Sequence, residues 1–553
     1  MKKTLVSLLL VVALLMTSVA ALAVDLPAIP EKYDLPISDG SVPQLKVYMG
    51  TEAGYEKAYL TYDEHVAILE WEAKTGLDFT FIHPPLNDDG TFFNTTVASG
   101  DLPDIWITSA WTSYYEGGVE GAIADGILVD LNPYIEQYGY YYLTEAHTNW
   151  DETAAANFKT DTGMFRFGAA SQRVPVLGQQ HTGMVIRGDL LDELDLDVPE
   201  TIDQIHDVLV AMKDVEGVVV PLALEKLNSS YYYNGDYLAS WLGVTTNGFM
   251  LDEEGKVTYA QLEPAYKDWL AMMKQWYQEG LIDIDSTNRN HSDAEAMVTS
   301  GQSVMCAIGN WETQEDIAVG KAGTGNPDFE LIGLTAPAKD EDSIGETNGF
   351  ARPIVNGENG MYWGISTTNK YPVESFKALD WLYSYEGTEL MVFGPEKAID
   401  QLHKDKNEEV VIHWTNPDGT RQFSDYMLKN PELEYNSIRY IYTIQGLSSE
   451  YASEMEYMQY GEPCNAQCWE AWTKYADSSR HVPNTISLTA EEDKIRKPIV
   501  TNVQTLAWEN AYNIIFHDDT VDSWDAVVEQ IKALGIDDAI KVTQDAYDRW
   551  LQR

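Results

Sequence analysis

MVIRGDLLDELDLDVPETIDQIHDVLVAMKDVEG, residues 184 to 217, is the stretch from which the rest of the chain can be read. Met184, Val185 and Ile186 form a short apolar strand end. Asp189 opens a short helix with Leu190, Leu191 and Leu194 on one side, and Val198-Pro199 breaks it. Thr201 and Gln204 have the spacing of a capping box, in which the hydroxyl accepts from the N3 amide and the glutamine reaches back. Ile205, Val208, Leu209 and Met212 follow at i, i+3, i+4 and i+7, the period of a helix with one buried face.

Upstream, the pattern predicts a strand at Leu45–Met49, a helix from Glu64 to Thr75 ended by Gly76, a strand from Leu77 to Ile82, a helix from Phe92 to Ala98 and a strand at Asp104–Ile107. That rhythm argues for a parallel sheet covered by helices. Ligands of open α/β sheets sit beyond the carboxyl ends of the strands. Trp111, Tyr114 and Tyr115, in the TSAWTSYY that follows the third strand, are therefore cleft candidates. Downstream, Pro221–Leu224 reads as a strand and NSSYYYNGD (228–236) as the loop at its end. Glu263–Glu279 reads as a helix burying Tyr266, Trp269, Leu270, Met273 and Tyr277. The acids from Asp283 to Glu295 fit a helix cap better than a calcium loop, since no glycine stands at the sixth position. In MVTSGQSVMCAIGNWET (297–313) a helix ends at Gly301, a buried strand runs Val304–Ile308, and Gly309-Asn310-Trp311 leaves it. A strand at Met361–Ile365, a helix at Pro372–Tyr385 and two terminal amphipathic helices, Ser523–Leu534 and Asp537–Leu551, complete the outline.

The order of elements in 184–217, together with VASGDLPDIW (97–106), ADGILVDLNPYIEQYG (124–139) and the 297–313 stretch, resembles the bacterial extracellular solute-binding proteins of family 1. These are the maltose- and oligosaccharide-binding-like receptors of ABC importers. The resemblance spans nearly all the mature chain. It implies an α/β, two-lobed periplasmic-binding-protein fold, type II-like, with hinge crossings between lobes. The expected division is a first lobe at 24–180, a second lobe at 181–334, a return to the first at 335–392 and to the second at 393–553. Crossings are expected at Gly163–Thr182, Leu331–Pro337 and Gly387–Pro395. The resemblance also implies that Trp311 faces a sugar, a place in the core being the alternative. It implies an aromatic wall at Tyr231 and Tyr232. Position adds Trp363 and Glu312, and it adds Arg352, for which a solvated loop charge is the alternative. The expected site is thus Trp111, Tyr114, Tyr231, Tyr232, Trp311, Glu312, Trp363 and Arg352, with no catalytic residue, metal or cofactor. The implied function is capture of a carbohydrate between the lobes and its delivery to the permease subunits of an ABC importer, by a monomer. A peptide or other small-molecule receptor of the same fold is the alternative, and a secreted glycan-active enzyme a further one.

The bulk numbers agree. A chain of 553 residues is too long for one core. Its 88 acidic and 36 basic residues give a formal net charge of −52, a surface that repels phosphate backbones and anionic headgroups. No nucleic-acid partner is expected. Residues 1–23 read as a cleavable export signal: Lys2 and Lys3, then an apolar run from Leu5 to Met16, then Ala21-Leu22-Ala23. No cysteine follows that run, so no lipid anchor is expected, and no later stretch is apolar enough to span a membrane. An extracytoplasmic location follows. Cys464 and Cys468 in PCNAQCW are candidates for a disulfide, which export permits, with free thiols or a metal as alternatives. Cys306 reads as a small buried hydrophobe. No GxxxxGK[ST], GxSxG or HExxH motif occurs. Glycoside hydrolysis needs only two carboxylates, so composition leaves that reading open. Aromatic residues make up 11% of the chain, and Trp and Tyr faces suit the C–H faces of sugar rings.

Overall fold

The computed structural model describes residues 26–553 except 52–53, 86–87, 89, 151, 162, 169–181, 228–235, 247, 310–311, 347–361, 418–420, 434, 445–462, 476, 478 and 484. Among the described residues, seven strands build two main sheets: β1 (Leu45–Met49), β2 (Phe79–Ile82), β3 (Ile105–Thr108), β4 (Thr182–Arg187), β5 (Met305–Gly309), β6 (Leu331–Gly333) and β7 (Tyr362–Ile365). The first sheet runs β2-β1-β3-β7. Its first three strands are parallel, and β7 lies antiparallel to β3. The second runs β5-β4-β6, with both neighbours antiparallel to β4. Two sheets with separate cores are the mixed α/β, two-lobed architecture expected from the sequence.

The first core gathers Val47, Trp71, Phe79, Ile105, Phe167, Trp363 and Phe376 around the first sheet. Trp71 stacks on Phe79 with ring centroids 4.4 Å apart. The second core gathers Ile186, Leu209, Trp269, Met273, Met305 and Trp508. The helix Ile202–Met212 has the capping box predicted for Thr201 and Gln204, and it buries Ile205, Val208, Leu209 and Met212 as its spacing requires. Asp293 closes a second capping box with Asn290, and Asp283 pairs with Arg289, so these acids serve as cap and counterion.

Three expectations are corrected. Pro221–Leu224 is not a ladder strand; Leu222 makes one isolated bridge to Met305. The chain does not leave the first core near Gly387–Pro395, because Phe393, Ile412, Phe423, Met427, Ile441 and Ile444 all pack there. Among the described residues, Gln467, Cys468 and Trp472 then contact the second sheet. Finally, Cys464 and Cys468 are free thiols one turn apart on the helix Pro463–Thr473. Residues at i and i+4 hold their Cβ atoms about 5–6 Å apart, whereas a disulfide needs about 3.8 Å.

Trp472 of that helix donates to the Met184 carbonyl at 3.0 Å and lies across Gly183 of β4. A Cβ on Gly183 would meet the indole at 2.5 Å. Gly183→Ala is therefore expected to destabilise by about 1–3 kcal/mol through overpacking, a loss a thermal-unfolding comparison detects.

Two long helices fold back near the C-terminus, Ala490–Phe516 and Ile536–Trp550. Ile536 and Ala539 sit in the second core. The far end of the same helix grips the segment around Asp161, whose neighbours Phe165 and Phe167 belong to the first core. Arg549 Nε donates to Asp161 at 2.7 Å and its Nη atoms to Glu492. Arg553 reaches the same Asp161 at 2.7 and 2.9 Å and donates to the carbonyls of Lys159, Ala156 and Thr485. Trp550 Nε1 donates to Asn157 at 3.2 Å. The two cores are thus joined at this point by a polar clamp.

Candidate functional site

The carboxyl end of β3 is Thr108, paired with Tyr362 at the start of β7. The chain leaving β3 turns straight into the short helix Ala110–Tyr114. Its Trp111 is fully buried, edge-on to Phe93 at 4.8 Å and to Trp106 at 4.9 Å. Trp363 is 2% exposed and packs against Phe167 and Tyr383. The expectation that Trp111 offers an open face to a cleft is corrected, because a cluster of rings covers it; Trp363 is packed on Phe167 and Tyr383 but also borders a neighbouring cavity. Tyr114, in contrast, is 44% exposed and lies over Gly90, where a Cβ would strike its ring.

Glu312, just after β5, accepts from the Gly309 amide at 2.6 Å and binds His291 Nε2 through both oxygens at 3.1 and 3.2 Å. Its carboxylate thereby holds the end of β5. Burial works against a charge on His291, but Glu312, Glu295 and Glu225 outweigh it and raise its pKa. Asp316, one turn further on, is pushed up by burial and then by Glu295 and Glu312. Tyr231, Tyr232, Trp311 and Arg352 lie outside the described residues.

A cavity of about 390 Å³ opens where the first core meets the C-terminal segment. Thr112, Tyr115 and Glu120 come to it from the end of β3, and Arg166 and Phe167 from the segment before the first crossing. Tyr362 and Trp363 come from β7, and Ser487, Asp493 and Arg496 from around the start of the helix Ala490–Phe516. Among the described residues, Trp363 of the expected site and the cleft candidate Tyr115 line it. Arg166 donates from Nη2 to the Thr485 carbonyl at 2.8 Å, and its guanidinium lies over the Tyr362 ring at 5.6 Å. Burial raises the Tyr362 hydroxyl above its ordinary pKa, with Arg166 opposing. Arg496 pairs with Asp493 at 3.6 Å, and burial lowers its pKa against that partner. The result is an aromatic wall with two guanidiniums and two carboxylates, lined by the first core and by the start of the helix Ala490–Phe516, whose later residues from Val503 lie in the second core. Sequence reasoning missed Arg166. The signal was the alternation in GMFRFG (163–168): Phe165 and Phe167 face the core, so the residue between them points the other way.

A model of the bacterial extracellular solute-binding proteins matches residues 55–389. Two Bacillus subtilis proteins are similar in sequence. Lipoprotein LipO is 25% identical over 335 residues, 58% of this chain and 60% of that protein. The polygalacturonan/rhamnogalacturonan-binding protein YtcQ is 22% identical over 354 residues, 63% of this chain and 64% of that protein. The chain therefore spans less than two thirds of the length of these relatives. Among solved structures, alginate-binding protein AlgQ2 without calcium ion is 22% identical, with 91% of this chain and 98% of that one covered at a TM-score of 0.65. The Streptococcus pneumoniae protein FusA in complex with kestose is 14% identical, covering 92% and 100% at 0.68. A human-milk-oligosaccharide-binding solute-binding protein from Bifidobacterium longum infantis is 15% identical, covering 92% and 99% at 0.69. At these identities the likeness establishes the fold. Among the described residues, no helix is long and apolar enough to cross a membrane.

Proposed function

This chain belongs to the bacterial extracellular solute-binding protein family, and from that membership we propose that it captures an oligosaccharide between its two lobes and hands it unchanged to an ABC permease. Export by the signal at residues 1–23 would place it outside the cytoplasmic membrane. The observation that carries the reading is the junction cavity. It lies between the first core and the start of a helix rooted in the second, and combines Tyr115, Phe167 and Tyr362 with a few charged groups. Ring faces cover the apolar sides of a pyranose while polar groups meet its hydroxyls. A guest touching both lobes selects the closed arrangement, because only that arrangement contacts it from two sides. The relatives whose names state a guest bind saccharides. Glu312, Tyr114 and the aromatic residues at 231, 232 and 311 remain part of the proposed surroundings of the cleft. Arg352 does too.

Titration calorimetry of the mature protein against a panel of neutral and acidic oligosaccharides tests this. Saturable binding of at least one saccharide, with the saccharide recovered intact, is the expected outcome. Binding of peptides alone, or cleavage of the bound glycan, would replace the proposal with one of its alternatives.

A further inference from the structure

We infer that Arg166 reads a carboxylate, so that the guest of the junction cavity is a uronate-bearing oligosaccharide. The inference rests on the reading of that cavity as the saccharide site. Its first support is a count of counterions. The chain holds 88 acidic residues against 36 basic ones. Arg187, Arg289, Arg421, Arg496, Arg549 and Arg553 each meet a carboxylate of the protein. Arg166 lines the cavity and, like Arg480 elsewhere, which donates to the Leu251 and Gly243 carbonyls, meets none among the described residues. Its protein partners are the Thr485 carbonyl and the Tyr362 ring, and its Nε has no acceptor. In so acidic a chain, a cavity arginine without a carboxylate leaves room for one brought by a guest.

The second support is how the group is held. Phe165 and Phe167 anchor the backbone on either side of Arg166 in the first core. The Tyr362 ring lies 5.6 Å from the guanidinium, and the Thr485 carbonyl holds one nitrogen at 2.8 Å. A guanidinium pre-set in this way loses little freedom when it meets a planar carboxylate, whose geometry its parallel N–H groups match. The other charges do not cancel it. Asp493 is engaged by Arg496 at 3.6 Å. Glu120 acts on the buried Arg553, whose charge it favours. Against a net charge of −52 for the whole chain, a cavity with two arginines and two acids is a place where an anion meets little repulsion.

The test uses the mature protein and three probes: trigalacturonate, the same trisaccharide methyl-esterified, and neutral galactotriose. The methyl ester keeps the shape and removes the charge, so wild type alone gives an answer. Trigalacturonate is expected to bind about ten- to a hundredfold more tightly than its ester. Arg166→Gln is expected to abolish that preference by weakening the acid alone, while Arg166→Lys keeps part of it; thermal unfolding verifies that both variants fold. Equal affinity for acid and ester, or a preference that survives in Arg166→Gln, would overturn the inference. Binding of neutral saccharides only would overturn it while leaving the proposed function standing. Binding of no saccharide at all would remove both.

Discussion

Asp161→Ala is expected to lower the unfolding free energy by about 3–5 kcal/mol, measured by urea denaturation followed through tryptophan fluorescence. The reason is the company that Asp161 keeps. Its side chain is 13% exposed and takes charge from both Arg549 and Arg553. Arg549 has a second carboxylate in Glu492 and is 32% exposed, so it tolerates the loss. The Arg553 side chain is 2% exposed, and its remaining acceptors are carbonyls and the Ser487 hydroxyl. Removing Asp161 strands a buried guanidinium, and a buried charge without its partner costs far more than the pair contributes. Arg553→Ala should therefore cost less than Asp161→Ala, since it deletes the buried charge and leaves Asp161 with Arg549. Equal costs would mean that packing, not charge, decides the stability of this junction. The clamp ties the segment before the first crossing to a helix rooted in the second core, so weakening it should also loosen how the lobes sit on each other.

The sequence made the local elements readable where one periodicity ran undisturbed. Thr201, Gln204 and the Ile205–Met212 stripe carried cap, register and buried face together, and the structure has all three. Strands β1, β2 and β3 are equally plain, because largely buried parallel strands are short apolar runs between turn residues. The helix Ala490–Phe516 was not read. Its buried residues begin only at Val503, and Pro498 within it reads as a breaker. The return of residues 393–444 to the first core was hidden for another reason. Small hairpins such as Lys397–Ile399 with Glu409–Val411 carry no periodicity that says which sheet they cover. At the site, an aromatic residue after a strand is expected to face the cleft, but composition does not distinguish an open indole from a buried one. Trp111 follows β3 and is enclosed by Phe93, Trp106 and Tyr115. The clamp and the cavity unite residues more than 300 positions apart, such as Arg166 with Thr485 and Asp161 with Arg553, and spacing holds no record of such pairs.

Two buried groups of the first core should oppose each other between about pH 4 and 7. Asp380 is fully buried and accepts from the Tyr141 and Tyr142 amides and the Tyr33 hydroxyl. Burial outweighs those bonds and pushes its pKa up to about 7. Because the native state keeps a proton that the unfolded chain has lost, stability falls as pH rises from about 4 to 7, by a contribution on the order of 4 kcal/mol. His65 works the other way. Its Nδ1 accepts from the Ala67 amide as the cap of Val66–Thr75, and its Nε2 meets the Tyr440 carbonyl, so the ring is held neutral with the proton on Nε2. Burial, with nearby Lys404, lowers its pKa to about 4. The unfolded chain takes up a proton below about 6.5 and the native state does not, so stability is lost as pH falls from 6.5 towards 4, by about 3 kcal/mol. In the native protein the two slopes nearly cancel. Asp380→Asn should remove the first, so that its unfolding free energy rises relative to wild type between pH 4.5 and 7. His65→Asn keeps a cap acceptor and removes the second, so its unfolding free energy should fall relative to wild type over the same interval. The many surface carboxylates contribute equally to all three proteins and drop out of these differences. Parallel curves for wild type and Asp380→Asn would mean that this carboxyl is hydrated and titrates as it does in the unfolded chain.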